Sequence, residues 1–266
     1  MLSLEYAELS DVGRVRDHNE DCSGQFSPAS DTEGRTHGWL FVVADGVGGE
    51  ERGEVASETA VQTLLAGFRA APRGEAHTVL MPRLIQSANT RIYELGRAAS
   101  PGGSRMATTV VACALRYDRV VVAHVGDSRC YLIRHGAALQ ITRDHTVVAE
   151  QVRLGLLSEK EAAEAETRHL LSRSLGSDLF VNVETGDRQV HVDDVLLLCS
   201  DGLHGAVSSA EIGEIVKWNP DLPTAARKLI DLANQKDGGD NVSVQLIRVR
   251  DVERMGMYRG RPYKLR

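Results

Sequence analysis

The sequence has only four cysteines in 266 residues, Cys22, Cys113, Cys130 and Cys199. None forms a Cys-x-x-Cys pair, and their scatter argues against a disulfide framework and a thiolate zinc site. They read as reduced core thiols. There is no excess of positive charge. The formal net charge of -6 argues against nucleic acid as a partner. No apolar run approaches the ~20 residues that a membrane-spanning helix needs. The first residues, MLSLEYAELSDVGRVRD, have no basic stretch followed by an apolar one. The expectation is therefore a soluble, cytoplasmic chain without a secretory signal. Internal repeats and low-complexity linkers are also absent.

What is present is an ordinary globular composition, 42% hydrophobic and 26% charged, in a chain long enough to bury a substantial core. Leu2, Leu4 and Tyr6 alternate with polar residues and predict a half-exposed strand. WLFVVAD (39–45) predicts a strand buried on both faces. Val61, Leu64, Leu65 and Phe68, then Leu84, Ile85, Ala88, Ile92 and Leu95, fall at helical spacing. They predict amphipathic helices over roughly 52–70 and 78–98, with Pro82 in the first turn of the second. The loop SPGGSR (100–105) closes this stretch. Strand-like segments follow at 108–117, 119–127, 129–134 and 137–141, with hairpin-like connections. Residues 145–169 are charged and helix-prone and read as an exposed insertion. DVLLLCS (194–200) predicts another buried strand, 209–217 and 223–236 predict helices, and NVSVQLIRV (241–249) a closing strand. Strands cluster and helices cluster, which is an α+β pattern. The expected architecture is a central antiparallel β-sandwich flanked by pairs of helices.

Aspartates sit at the strand ends. WLFVVADG ends on Asp45-Gly46 and VLLLCSDG on Asp201-Gly202, VVVAHVGD ends on Asp127, and GGDNVSV places Asp240 before the last strand. Any one of these alone is an ordinary turn. Several carboxylates gathered at the ends of adjacent buried strands would repel one another and need protons or cations. Oxygen-only donors suit magnesium and manganese. A glycine beside Asp45 lets its carbonyl approach an ion, and Val47-Gly48-Gly49 lets the chain turn away. A second constellation is DVGRVRDHNED (11–21). Arg16 can take phosphate oxygens bidentately, and Glu20 and Asp21 can hold metal-bound waters. Alone, it reads as a solvated charged loop. His18, His124 and His145 read as structural or hydrogen-bonding residues.

These residues resemble the metal-dependent protein serine/threonine phosphatases, the type 2C or PPM family, in its bacterial branch. The motifs VRDHNED (15–21), VVADGVGG (42–49), ATTVV (107–111), VGDSR (125–129), TRDH (142–145), CSDG (199–202) and GGDNVSV (238–244) occur in the family's order. The resemblance implies one catalytic domain over 1–250, with a flap subdomain at about 147–170, followed by a basic tail at 251–266. It implies two Mn2+ or Mg2+ ions and a third, weaker one. Asp45 would bridge two ions, with the Gly46 carbonyl on one and Asp201 and Asp240 on the other. Asp127, sharing with Asp201, would take the third. Glu20 and Asp21 would lie in the outer shell, and Arg16 would grip the substrate phosphate. Val47 stands where eukaryotic members often carry a histidine, and RHLLSRSLG lacks a proline and an asparagine expected after the flap.

The implied reaction is hydrolysis of phosphoserine or phosphothreonine in proteins by a metal-activated water, without a phosphoenzyme. The implied partners are phosphoproteins and a serine/threonine kinase with its substrates. Two alternatives stand beside it. Cys113 and Arg119 have the Cys-x5-Arg spacing of cysteine-dependent phosphatases. A pseudophosphatase would bind phosphoproteins without turnover, although Asp45, Asp201 and Asp240 are all present. The tail (254–266) reads as a disordered solvated end or as a docking segment.

Overall fold

A computed structural model describes residues 1–47, 52–99, 106–165, 167–258 and 261–264. The chain opens with β1 (Ser3–Asp11), β2 (Asp21–Phe26), α1 (Asp31–Thr36), β3 (Trp39–Asp45), α2 (Gly53–Arg69) and α3 (His77–Ala99). Next come β4 (Val110–Arg116), β5 (Arg119–Val125), β6 (Arg129–Arg134) and β7 (Ala137–Gln140). The charged insertion carries α4 (Val147–Arg153) and α5 (Glu159–Glu164). The chain returns through β8 (Glu184–Gln189), β9 (Val195–Cys199), α6 (Asp201–His204), α7 (Ser209–Trp218), α8 (Leu222–Lys236) and β10 (Val242–Asp251). A hairpin, β11 (Met255–Tyr258) and β12 (Arg261–Lys264), comes last.

Two antiparallel five-stranded sheets face each other. One has the order β2-β3-β4-β5-β8, the other β1-β10-β9-β6-β7. The unbroken apolar runs follow from this stacking. Side chains alternate along a strand. Leu40, Val42 and Ala44 of β3 point outward onto α2 and α3, while Phe41 and Val43 point inward between the sheets. All five are fully buried. Inside, Phe41, Val111, Cys113 and Val122 meet Leu196, Leu198 and Ile247 of the other sheet. On the far side, Leu197, Val244 and Leu246 pack beneath Ile212 and Val216 of α7 and Leu229 and Ile230 of α8. The expected helix-flanked sandwich is therefore present.

Packing holds these helices more than propensity does. With ten residues, α7 is shorter than the ~12–15 that an isolated helix needs. Burying side chains such as Ile212 and Val216 contributes about 1.5–3 kcal/mol each. Its start is fixed by a capping box, Ser208 with Glu211.

Some expectations need correction. Helix α3 starts at His77, so Pro82 lies in its second turn, not its first. There it removes the donor that the Thr78 carbonyl would otherwise accept. The tail forms the β11–β12 hairpin instead of an unstructured end. Cys113 lies fully buried in β4 with its Sγ 3.5 Å from that of Cys130, and Arg119 pairs with Asp187 on the surface. The Cys-x5-Arg reading fails, because a phosphate-cradling thiolate needs access and a loop before a helix. The Gly48-Gly49 turn and the SPGGSR loop lie outside the described residues.

Candidate active site

The sandwich gathers acids at one end. Strands β2 and β3 pair in register, so that Asp21 stands opposite Asp45. Strand β9 ends beside them and passes directly into α6, whose first residue is Asp201. The carboxyls of Asp45 and Asp201 lie close enough for each to shift the other's titration. Asp127 follows β5 and is buried, close enough to Asp201 to feel its charge. Asp240 precedes β10 and turns toward Arg16, whose Nη2 donates to its Oδ2 at 3.0 Å.

Backbone hydrogen bonds fix these positions. The Asp45 carbonyl accepts from Thr109 N–H at 2.8 Å and from Thr108 Oγ1 at 2.7 Å. Its N–H donates to Thr109 Oγ1 at 3.1 Å. Gly46 N–H donates to the Glu20 carbonyl at 3.1 Å. A Cβ on Gly46 would lie 2.6 Å from backbone atoms of Gly53 and 2.7 Å from the Glu20 carbonyl oxygen, so only glycine fits. Asn241 holds the Arg16 loop from behind. Its Oδ1 accepts from Glu20 N–H at 2.9 Å, and its Nδ2 donates to the carbonyls of Val12 at 2.9 Å and His18 at 3.1 Å.

The electrostatics are unbalanced. Burial, reinforced by Asp21, Asp201, Asp127 and Asp240, pushes the Asp45 carboxyl well above the usual range. Burial pushes Asp21 up to about 7, against hydrogen bonds from Ser243 and Ser200, with Asp201 and Asp240 adding to the rise. Asp127 rises to about 8 through burial and its neighbours Asp201 and Asp144. Asp201 also rises, through burial and Asp240. Asp21 Oδ2 accepts from Ser200 Oγ at 2.8 Å, but its Oδ1 is buried without a partner. An orphaned carboxylate oxygen beside buried carboxyls pushed toward their neutral form fits a site for hard cations. The donor set is oxygen only, so it fits Mn2+ or Mg2+.

Several residues here carry no signal in sequence patterns. His169, on the turn after α5, brings Nδ1 to 4.0 Å from Asp201 Oδ2. It lines a cleft of about 350 Å3 with Arg16, Gly202 and Asp240. His204 Nε2 donates to the Asp127 carbonyl at 3.0 Å. Its ring is neutral at pH 7, because burial and Arg129 push it down to about 3. Glu20 forms a second convergence with His18 and Glu54, their ligand atoms within 4.8 Å of one another.

Comparison with known proteins matches the sequence and the fold. A family model described as protein phosphatase 2C matches residues 22–236. The serine/threonine phosphatase stp of Listeria innocua is 37% identical over 255 residues, 95% of this chain and 96% of that one. Protein phosphatase PhpP of Streptococcus pneumoniae is 31% identical over 246 residues, 92% of this chain and 97% of that one. Among solved structures, the S. agalactiae serine/threonine phosphatase superimposes with a TM-score of 0.85 at 33% identity, covering 93% of this chain and all of that one. The catalytic domain of PstP, solved with two manganese ions, gives a TM-score of 0.80 at 33% identity, covering 94% of this chain and all of that one.

Proposed function

The chain belongs to the protein phosphatase 2C family, and on that footing we propose that it hydrolyses phosphoserine and phosphothreonine in proteins with the help of two divalent cations, Mn2+ or Mg2+. The observation that carries the metal dependence is the charge imbalance at Asp21, Asp45, Asp127 and Asp201, with Asp21 Oδ1 left unpartnered. Asp45, the Gly46 carbonyl, Asp201 and Asp240 would hold two ions, and Asp127 with Asp201 a third, weaker one. Glu20 and Asp21 would orient the water around them. When bound, such ions supply Lewis acidity toward phosphoryl oxygens and lower the pKa of water.

The chain's own residues do the rest. Hydrogen-bonded strand ends hold Asp45 and Asp201 still. Arg16, paired with Asp240 at the rim and partly exposed, is free to turn its fork to two oxygens of an incoming phosphate. A protein nucleophile is not required, and burial pushes the Cys130 and Cys199 thiols up, away from reactivity. The substrates would be proteins phosphorylated by a serine/threonine kinase in the cytoplasm.

Phosphate release from phosphoserine and phosphothreonine peptides tests this, in Mn2+ and in EDTA, with and without thiol alkylation. Hydrolysis that needs Mn2+ and survives alkylation is expected. Hydrolysis in EDTA, or its loss on alkylation, would overturn the proposal.

A further inference from the structure

His145 stands where three parts of the active-site end meet, and its side chain is only 2% exposed. Its N–H donates to the Gly126 carbonyl at 3.0 Å, and Gly126 N–H donates back to its Nδ1 at 3.2 Å. Gly126 has φ of 102°, and a Cβ there would lie 2.6 Å from the Thr109 side chain. Only glycine takes that conformation, and Asp127, the next residue, takes its direction from it. On the other side, the His145 carbonyl accepts from Ser172 N–H at 2.8 Å, and Thr146 bridges to Leu171. These are residues of the chain returning from the insertion. Nε2 lies 3.4 Å from Glu184 Oε2, at the start of β8. The ring stacks on His124 with centroids 4.7 Å apart.

The proton's place follows from these contacts. Nδ1 accepts from a backbone N–H, so it carries no proton. Burial, with His124 and Arg173, pushes His145 down to about 4, so the ring is neutral at pH 7. Its one proton is therefore on Nε2, where the Glu184 carboxylate accepts it; Arg173 Nη1, also 3.4 Å from Nε2, then acts there by its charge and not as a hydrogen-bond donor. His124, His145 and Glu184 converge within 4.8 Å, as a cation site would. Ligation at His145 Nε2 would require that proton to leave while Nδ1 is already committed, so this trio is not a metal centre.

We infer that His145 is a positioning residue: the relay from Gly126 N–H through His145 to Glu184 aims Asp127 and ties it to the return strand of the insertion. The inference rests on the reading of Asp127 as the holder of the weaker cation. Removing the imidazole leaves a buried Gly126 N–H without a partner, and the loop carrying Asp127 must move to satisfy it. Removing the Glu184 carboxylate frees the ring to change tautomer or rotate, with the same result.

The test is calorimetric titration of the full-length, EDTA-stripped protein with Mn2+, with kcat, KM and melting temperature measured on the same samples. His145→Ala and Glu184→Ala are expected to weaken the weakest Mn2+ site roughly tenfold, the scale for lost outer-shell partners, and to leave the tighter sites unchanged. Glu184→Gln should bind like wild type, because its amide oxygen still accepts from Nε2–H. If both alanine variants keep wild-type Mn2+ affinities while Asp127→Asn loses the weak site, the inference is overturned, even if their melting temperatures fall. If Asp127→Asn also leaves Mn2+ binding unchanged, the assignment of Asp127 is wrong and the inference falls with it. Should His145→Ala not fold, Glu184→Ala decides, since that side chain is partly exposed.

Discussion

Asp21 and Asp45 face each other in register across the β2–β3 pair. Two adjacent strands thus deliver two carboxylates to one place, and Asp201 at the head of α6 adds a third. Such an arrangement is costly in an empty protein and stable in a loaded one.

The pH dependence of stability follows. Asp21 is raised from 3.8 to about 7, so the folded chain holds a proton that the unfolded chain has released. Metal-free stability from this group is therefore lost as pH rises from about 4 to about 7. Buried histidines act in the opposite sense. His77, pushed by burial and Arg116 from 6.5 to about 4, contributes stability above 6.5 that is lost as pH falls toward 4. That contribution is common to both forms and cancels in their difference. The gap in melting temperature between protein in Mn2+ and protein in EDTA should widen as pH rises from about 5.5 to about 8. Scanning calorimetry at several pH values measures it, and a gap that stays constant or narrows would contradict the charge argument.

Asp45→Asn should separate function from folding. It removes one of the crowded carboxylates, so the metal-free variant should melt higher than metal-free wild type. Phosphopeptide hydrolysis should fall by about 10²–10³-fold or more, the range for lost electrostatic stabilisation at a reacting centre. A variant that is both inactive and less stable in EDTA would show that Asp45 is a structural residue.

Arg16→Lys tests the phosphate grip. Lysine keeps the charge but loses the planar fork. The exposed pair with Asp240 is worth at most about 1 kcal/mol, so melting temperature should barely move. A fall in kcat/KM of about tenfold or more is expected, from a lost charge-assisted hydrogen bond. Unchanged kcat/KM would remove Arg16 from the site.

Gly46→Ala has backbone atoms on every close side, with Gly53 at 2.6 Å and Glu20 O at 2.7 Å. Neither can swing away as a side chain would. A loss of about 1–3 kcal/mol in denaturant unfolding is expected, with reduced Mn2+ affinity. Wild-type stability would mean that the turn has slack.

The sandwich was readable because its central strands are buried on both faces. WLFVVAD and DVLLLCS have no alternation to confuse with helix. Strand β8, ETGDRQ, was not readable, because it is an edge strand with almost every side chain exposed. Strand β2, DCSGQF, has the same lack of apolar pattern; its place is set by pairing with β3. The acids announced themselves by position, directly after buried strands. Asn241 and Glu184 did not, because their roles rest on partners distant in sequence, Val12 and Glu20 for the first and His145 for the second; His145 reads as a hydrogen-bonding residue, but its partner Gly126 is not legible.

The most direct test uses EDTA-stripped protein, a phosphothreonine peptide and increasing Mn2+, with bound Mn2+ counted by electron paramagnetic resonance in the same samples. No phosphate release is expected from the stripped protein, and release should rise as the acidic cluster fills. Phosphate release without bound metal, or none with the cluster filled, would contradict the proposed metal dependence.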